Sequence, residues 1–465
     1  MMCTITNRPA DRQDVQYGVE LGAGLIWKWG LLTLAGYVCL TGLPEEAIRP
    51  RSPEAWAVTR FLTVMAYVHV WYWILTTRLI NGWRLSSRQF AIAMAFGLLF
   101  RLVLLPTPLI LENDIYRYHW DGHISRQGIN PYRYAPLDHE TQPYRTEYWD
   151  RINYGYVPTI YPPVLQYVFL FSEFLFPGQM LGMKFVLLLF DLGTLYLIMR
   201  LLEALRRPRE WCLIYAWSPL VLKEIANSGH ADSVCAFFLT LALFLLVKNR
   251  DLASGAAMAG MTLTKFFGLL FWPILRRAWR WPAHGLYAAT LVILYLPFLS
   301  LDINPFRGFW IFSREWRFNG GIFEFTVWFI QYLGGRWALF RSIQPEAMTR
   351  SLLFGVILFA TAWHTFRLPG NHPPVDYLRA LMAVMGTVLL CSPVINPWYF
   401  VWMVPLLCVF PSRAWILLTG LVFLSYTFYY GRSFPEWVPW VEYGIFFAVL
   451  ILEKTTSEKQ ANRSF

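Results

Sequence analysis

Long apolar runs separated by short polar links make up most of this chain. Leu21–Leu43, Ala57–Ile80, Phe90–Ile110, Leu181–Leu201 and Ala414–Tyr430 fall in or near the range of about 17–25 residues that a bilayer-crossing helix needs. Read along the whole length, the pattern predicts crossings at 21–43, 57–79, 90–110, 181–201, 211–226, 232–248, 285–300, 350–366, 378–391, 398–411, 414–430 and 441–452, about twelve in all. Three segments fit no simple crossing. "YPPVLQYVFLFSEFLFPG" (161–178) is short and carries Glu173, which predicts an interfacial or re-entrant helix. The run 251–275 holds "GMTLTKFFG" at its centre between basic flanks. It predicts a broken hairpin, since irregular backbone at membrane depth needs protein or a cavity around it. Residues 322–333 predict a second interfacial helix. The expectation is an all-α polytopic membrane protein in which residues 1–465 form one domain.

Composition agrees. The chain is 56% hydrophobic and 15% charged, against about 25% charged for a soluble domain. The net charge of +11 could suggest nucleic acid, but its distribution argues otherwise. The basic residues sit in short clusters between apolar runs, as in "RRPRE" (206–210), "KNR" (248–250) and "RRAWR" (276–280). Such clusters mark cytoplasmic loops, and no concentrated basic face for a nucleic acid is present. The six cysteines, Cys3 among them, are scattered without metal-site or disulfide spacing. The N-terminal stretch 1–20 lacks the pattern of a cleaved leader, so the run from Leu21 is expected to remain as an anchor.

With the N-terminus in the cytoplasm, three crossings carry the chain outside at about residue 111. A polar stretch of roughly fifty residues follows, too long for an ordinary connection and too aromatic for disorder. Residues 111–160 are therefore expected to be an ordered extracytoplasmic loop bearing the chemistry. The same face collects "ENDIYRYHWDGH" (112–123), "NPYRYAP" (130–136), "NSGHAD" (227–232), "WRFN" (316–319) and "SPVINPWY" (392–399). Tyr and Trp at an interface are ordinary anchors. Carboxylates and histidines at membrane depth are costly and mark function.

No phosphate-binding glycine loop, zinc-protease helix or nucleophile elbow appears. Carboxylates beside Arg and His suit deprotonation of a hydroxyl and stabilisation of an anionic leaving group. Arg is well matched to a departing phosphate. Outside the cell there is no ready pool of nucleotide sugars, so a sugar carried on a lipid phosphate is the natural donor.

"LENDIYRYHWDG", "GINPYRYAP" and "YPPVLQ", followed in order by "IANSGHADS", "LTKFFGLLFWP", "WRFNGG" and "SPVINPWYFVWMVPLL", resemble the motifs of membrane glycosyltransferases of the GT-C superfamily. The nearest likeness is to bacterial glycosyltransferase family 87-like proteins, with a fainter one to the first GPI mannosyltransferase. It covers about residues 90–430. The resemblance implies inverting transfer of a hexose, often mannose, from a polyprenyl phosphate to an extracytoplasmic or lipid-linked glycan acceptor. It also implies an aspartate base in the first external loop, and a location in the bacterial plasma membrane with the site on the extracytoplasmic face. Mapped here, the base is Asp114, with Asp121 as the second candidate. The expected substrate-binding residues are Arg117, His119, Arg133, Tyr161, Gln166, His230, Asp232, Lys265, Arg317, Asn319, Trp398 and Tyr399. No cofactor is expected. "END" stands where some relatives carry two aspartates one residue apart, so no metal ligand is assigned. The partners expected are the polyprenyl-phosphate sugar, a glycan or lipid-linked acceptor and membrane lipids. A transporter or flippase of a lipid-linked sugar, and a lipid-oligosaccharide ligase or polymerase, are the alternative classes.

Overall fold

The computed structural model describes residues 23–337, 342–368, 372–431 and 433–463, with side chains at residues 24–456 within those ranges. The first residues of the expected anchor, Cys3 and the stretch 1–20 lie outside them, as do the side chains of the last residues. Among the described residues the chain is helical, with two isolated bridges joining Phe318 and Asn319 to Val394 and no strand. The all-α expectation holds.

Among the described residues, seven helices are long and apolar enough to cross a bilayer. They include α1 (Ala23–Thr41), α2 (Ala55–Ile80) and α3 (Ser87–Leu104). α3 starts at a capping box in which Ser86 and Gln89 satisfy each other's backbone N–H groups. Next come α4 (Asp114–Arg126), α5 (Pro163–Leu175) and α6 (Met180–Ala204). α6 is the fourth candidate span, and the others are Pro345–Arg367, Pro374–Cys391 and Arg413–Gly431. The remaining expected crossings take other forms. Residues 232–248 and 285–300 become helices Asp232–Val247 and Trp281–Tyr295, and 441–452 lies inside Trp437–Arg463. Residues 211–226 and 398–411 are broken into short helical turns. The hairpin expected at 251–275 is present as helix Asp251–Thr262, an extended step through Lys265, and short turns after it.

The break at 211–226 has a physical reason. This segment is buried almost throughout in the centre of the body, so lipid never meets its freed backbone groups. Neighbouring side chains fill them instead. Tyr72 donates to the carbonyl of Ile214 at 2.8 Å, and Arg101 Nη1 donates to that of Ala216 at 2.8 Å. Pro219 then restarts the helix under a Ser218 cap, and the chain widens into a π-turn over Leu222–Asn227. Such turns recur at functional sites.

One buried ion pair ties this centre to the spans. Arg101 of α3 and Asp191 of α6 meet through two contacts of 2.5 and 3.2 Å, both side chains almost fully buried. Arg101 also donates to the carbonyls of Gly97 and Ala216. Removing one partner strands a charge in the apolar interior. Arg101→Met or Asp191→Leu alone should therefore lower stability by about 3–5 kcal/mol, whereas the double variant should recover most of that. Thermal unfolding of the three purified variants checks this, and a double-variant loss equal to the sum of the two single losses would show that the pair does not interact.

Candidate active site

The apolar helix α3 ends ten residues before Asp114, so Asp114 opens a new helix instead of closing an old one. The link between α3 and α4 is held from several sides. Asn227 at the end of the π-turn donates to Thr107 Oγ1 and the Pro108 carbonyl, and accepts from the N–H of Ile110. Leu111 then takes a left-handed φ of 58°, a conformation that costs a branched residue energy and persists where the surroundings fix it. Its N–H bonds to Ile48 and its carbonyl accepts from Tyr429. This turn delivers Glu112, Asn113 and Asp114.

α4 is short of apolar residues, yet it is buried on most of its surface. Gly122 explains how closely α5 approaches, because a Cβ there would stand 2.5 Å from the carbonyl oxygen of Phe169. The polar side chains of α4 are matched inside the protein. Asp121 is fully buried and accepts from Arg117 Nε at 2.9 Å, Thr159 at 2.5 Å and Gln166 at 3.2 Å. Gln166 also donates to the Tyr161 carbonyl at 3.2 Å. Asp121 and Gln166 thus brace the wall from behind and do not line the cavity.

The cavity is about 800 Å³ and is walled by the Glu112–Tyr118 stretch, the 149–161 loop, Lys265, the 312–318 segment, Val394–Tyr399 and Ser425–Tyr429. Asp114 stands in its wall with Oδ1 accepting from Asn153 at 2.8 Å. Oδ2 lies 3.9 Å from His230 Nδ1 and, among the described residues, accepts no hydrogen bond. Arg117 lines the same cavity. Its Nε is taken by Asp121 and its Nη1 by the Val157 carbonyl at 2.8 Å, while Nη2 is buried with no partner among the described residues.

The structure brings Asp114, Arg117, Tyr161, Lys265, Arg317, Trp398 and Tyr399 to this cavity. Lys265 sits 3.3 Å from Asp232, which also accepts from Trp402, so Asp232 anchors Lys265 from outside the lining. Arg317 is bound by Glu324 and Glu346. His230 is buried behind the wall with its ring stacked on Trp398 at 3.9 Å. Three expected residues are elsewhere. His119 lines a separate cleft and lies 3.4 Å from Glu173. Burial pushes its pKa down, with Glu173 opposing. Arg133 is exposed and paired with Asp302 at 2.7 Å. Asn319 adopts a left-handed φ of 53° and donates to Glu442. Local polarity marked all three, and packing directs them away from the cavity.

Behind Asp114 lies a cluster of which the sequence reading placed only His230 in the site. The single hydroxyl proton of Tyr426 is shared between Glu112 at 2.6 Å and Glu224 at 3.0 Å. Lys223 lies 3.2 Å from Glu224, 3.9 Å from Glu112 and against the Tyr426 hydroxyl. His230 Nε2 lies 3.3 Å from Glu224 and 3.6 Å from Glu112. Single ligand atoms of Glu112, Glu224 and His230 come within 4.8 Å of one another, a donor set suited to a divalent cation. The Lys223 ammonium already brings positive charge to both carboxylates. A signal existed for Lys223 and Glu224, two ionisable residues side by side in an apolar run. Nothing local marked Tyr426 or Asn153. Burial disfavours charge on His230, but the Glu224 hydrogen bond and the charges of Glu112, Glu224 and Asp114 outweigh it and raise its pKa. Burial raises Glu112 to about 7, with Lys223 and His230 opposing.

The family described as MptA_B, alpha-(1->6)-mannopyranosyltransferase, N-terminal domain, matches residues 33–281, more than half of the chain. That span includes Asp114, Arg117, Tyr161, Lys223, Glu224, His230 and Lys265. No curated protein and no solved structure matches.

Two predictions separate support from chemistry. Asp121→Asn leaves the buried Arg117 charge without its counter-ion and should cost about 3–5 kcal/mol, read as a lowered melting temperature. An unchanged melting temperature would deny Asp121 this role. Glu112 has a folded pKa above its ordinary 4.5, so the folded state binds more protons in between. Its contribution to stability is full below that ordinary value and is lost as pH rises through about 7. Glu112→Gln cannot ionise, so from about pH 5 to about pH 8 the wild type should lose melting temperature relative to this variant. Parallel curves would show that Glu112 does not titrate in this way.

Proposed function

The chain belongs to the MptA_B family of alpha-(1->6)-mannopyranosyltransferases, and on that premise we propose that it moves mannose from a polyprenyl-phosphate donor to a glycan or lipid-linked hydroxyl, with Asp114 as general base. The enzyme is a mannosyltransferase-like glycosyltransferase held in a membrane. The donor, the acceptor and the role of Asp114 are our reading. The observation that carries it is Asp114 in the cavity wall, one carboxylate oxygen fixed by Asn153 and the other open to an incoming group, on the same helix as the unpartnered Nη2 of Arg117.

In this reading the acceptor oxygen attacks the anomeric carbon while its proton passes to Asp114 Oδ2. The bond between the anomeric carbon and the phosphate oxygen breaks, and its electron pair leaves with the polyprenyl phosphate. Attack from the face opposite the leaving group inverts the anomeric centre, so a β-linked donor gives an α-linked product. Arg117 Nη2 and the Lys265 ammonium meet the developing phosphate charge. A charge-assisted hydrogen bond of this kind is among the strong ones a protein makes. Asn153 keeps the carboxylate aimed, and Trp398, Tyr161 and Tyr399 offer flat faces to a sugar ring. The basic clusters 206–210, 248–250 and 276–280 favour a cytoplasmic side opposite the cavity, which supports an extracytoplasmic site in a bacterial plasma membrane.

General base catalysis contributes about 10²–10⁴-fold, so Asp114→Asn should lower turnover by that factor. The amide oxygen can still accept from Asn153, so melting temperature and donor binding should persist. The assay is transfer of labelled mannose by purified protein, with polyprenyl-phosphate mannose and nucleotide-linked mannose supplied in parallel. Near-normal turnover in Asp114→Asn would remove it as the base. Robust transfer from the nucleotide sugar alone would remove the lipid donor.

A further inference from the structure

A second recess, about 650 Å³, lies on the other side of the Glu112–Asn113 wall. It shares Pro50, Arg51, Glu112, Asn113 and Asp150 with the main cavity, so the two spaces adjoin. One side is apolar, formed by the α3–α4 link from Leu105 to Leu109 and by Met180 and Leu181 at the start of α6. Leu181 continues along α6 as an exposed stripe with Phe185 and Leu189, 51%, 42% and 50% exposed. α6 is apolar and long enough to span a bilayer, so this stripe faces lipid chains.

Lys184 also lines the recess and is only 3% exposed. Its stem is confined, because Gly229, at φ +67°, has room for no side chain: an added Cβ would stand 3.1 Å from Lys184 Cγ and 2.7 Å from Ile115 Cδ1. Its Nζ donates to the Thr107 carbonyl at 3.0 Å, which uses one of three donors. Arg101, Arg117 and Lys223, the comparably buried cations, each hold a carboxylate. Among the described residues no carboxylate lies within ion-pair distance of Lys184. Of the acids lining the recess, Glu45 is engaged by Arg49 and Arg151 and Glu112 by Tyr426, and Asp150 makes no ion pair with Lys184 among the described residues. A buried, uncompensated ammonium costs stability. It is explained if an anion arrives from outside.

We propose that this recess is a lateral docking subsite for the head of an isoprenoid monophosphate, with Lys184 as its counter-cation. The apolar chain lies along the Leu181–Phe185–Leu189 stripe, and the phosphate sits between Lys184 and the wall shared with the main cavity. The recess thereby becomes the port through which a lipid-phosphate sugar reaches Asp114 and through which the spent lipid phosphate leaves. The inference rests on the lipid-phosphate reading of the donor given above.

The test uses the full-length protein and bare polyprenyl phosphate as the probe. Lys184→Met removes the unpaired charge, so it should raise the melting temperature while weakening polyprenyl-phosphate binding by about ten- to a hundredfold, the loss expected for one charged hydrogen bond. KM for the lipid donor should rise and KM for the acceptor should stay. Lys184→Arg should retain most of the binding. A lowered melting temperature with unchanged affinity would make Lys184 a structural tie to Thr107 and overturn the subsite. Equal competition by phosphatidylglycerol vesicles would overturn its assignment to a lipid monophosphate. If Lys184→Met binds normally while Asp114→Asn cannot transfer, the subsite falls and the proposed function stands. If the wild type binds no polyprenyl phosphate, the donor reading itself falls, and the subsite with it.

Discussion

A helix as polar as α4 can be buried in an apolar body only if its ionisable groups find partners there. Arg117 and Asp121 pair one turn apart along the helix, and Thr159 and Gln166 close the remaining positions around Asp121. α5 comes close enough to supply Gln166 because Gly122 offers the Phe169 carbonyl no obstacle. The partners of Arg117 fix its plane, so its buried, unclaimed Nη2 is held in place in the wall that Arg117 contributes to the cavity. The matched groups build the frame, and the few unmatched ones at its edge are available for chemistry.

The same division organises the space around Asp114. Behind it, Glu112, Lys223, Glu224, His230 and Tyr426 compensate one another within the buried π-turn region. In front, Asp114 is tied at one oxygen. A stiff charged background beneath a partly free carboxylate is the preorganisation that group transfer uses, because little has to reorient as the bond forms. The unusual backbone at Leu111 fits this account, since the turn that presents Glu112 and Asp114 is strained and braced by Asn227, Ile48 and Tyr429.

The chain itself determined the solvent, the helical class and many of the polar residues that gather at one cavity. Runs near bilayer length leave little other than membrane helices, and polar residues kept at their ends stand out because each is costly there. Asp114, Arg117, Tyr161, Lys265, Arg317, Trp398 and Tyr399 were legible in the sequence, and all seven line one cavity. Helix continuity was less legible. Apolar runs at 211–226 and 398–411 read as crossings, but both are broken and buried, and in the first of them neighbouring side chains satisfy the freed carbonyls of Ile214 and Ala216. What tertiary structure alone decided was which charges cancel. Asp121 and Asp114 are both acids in one motif, seven positions apart. Only the approach of Thr159 and Gln166 makes one a brace, and only the open cavity leaves the other exposed to a substrate. Lys184 and Lys223 are both buried lysines, and only the fold brings Glu112 and Tyr426 to one and an open recess to the other. Pairing depends on distances between residues remote in sequence, and periodicity carries no information about those distances.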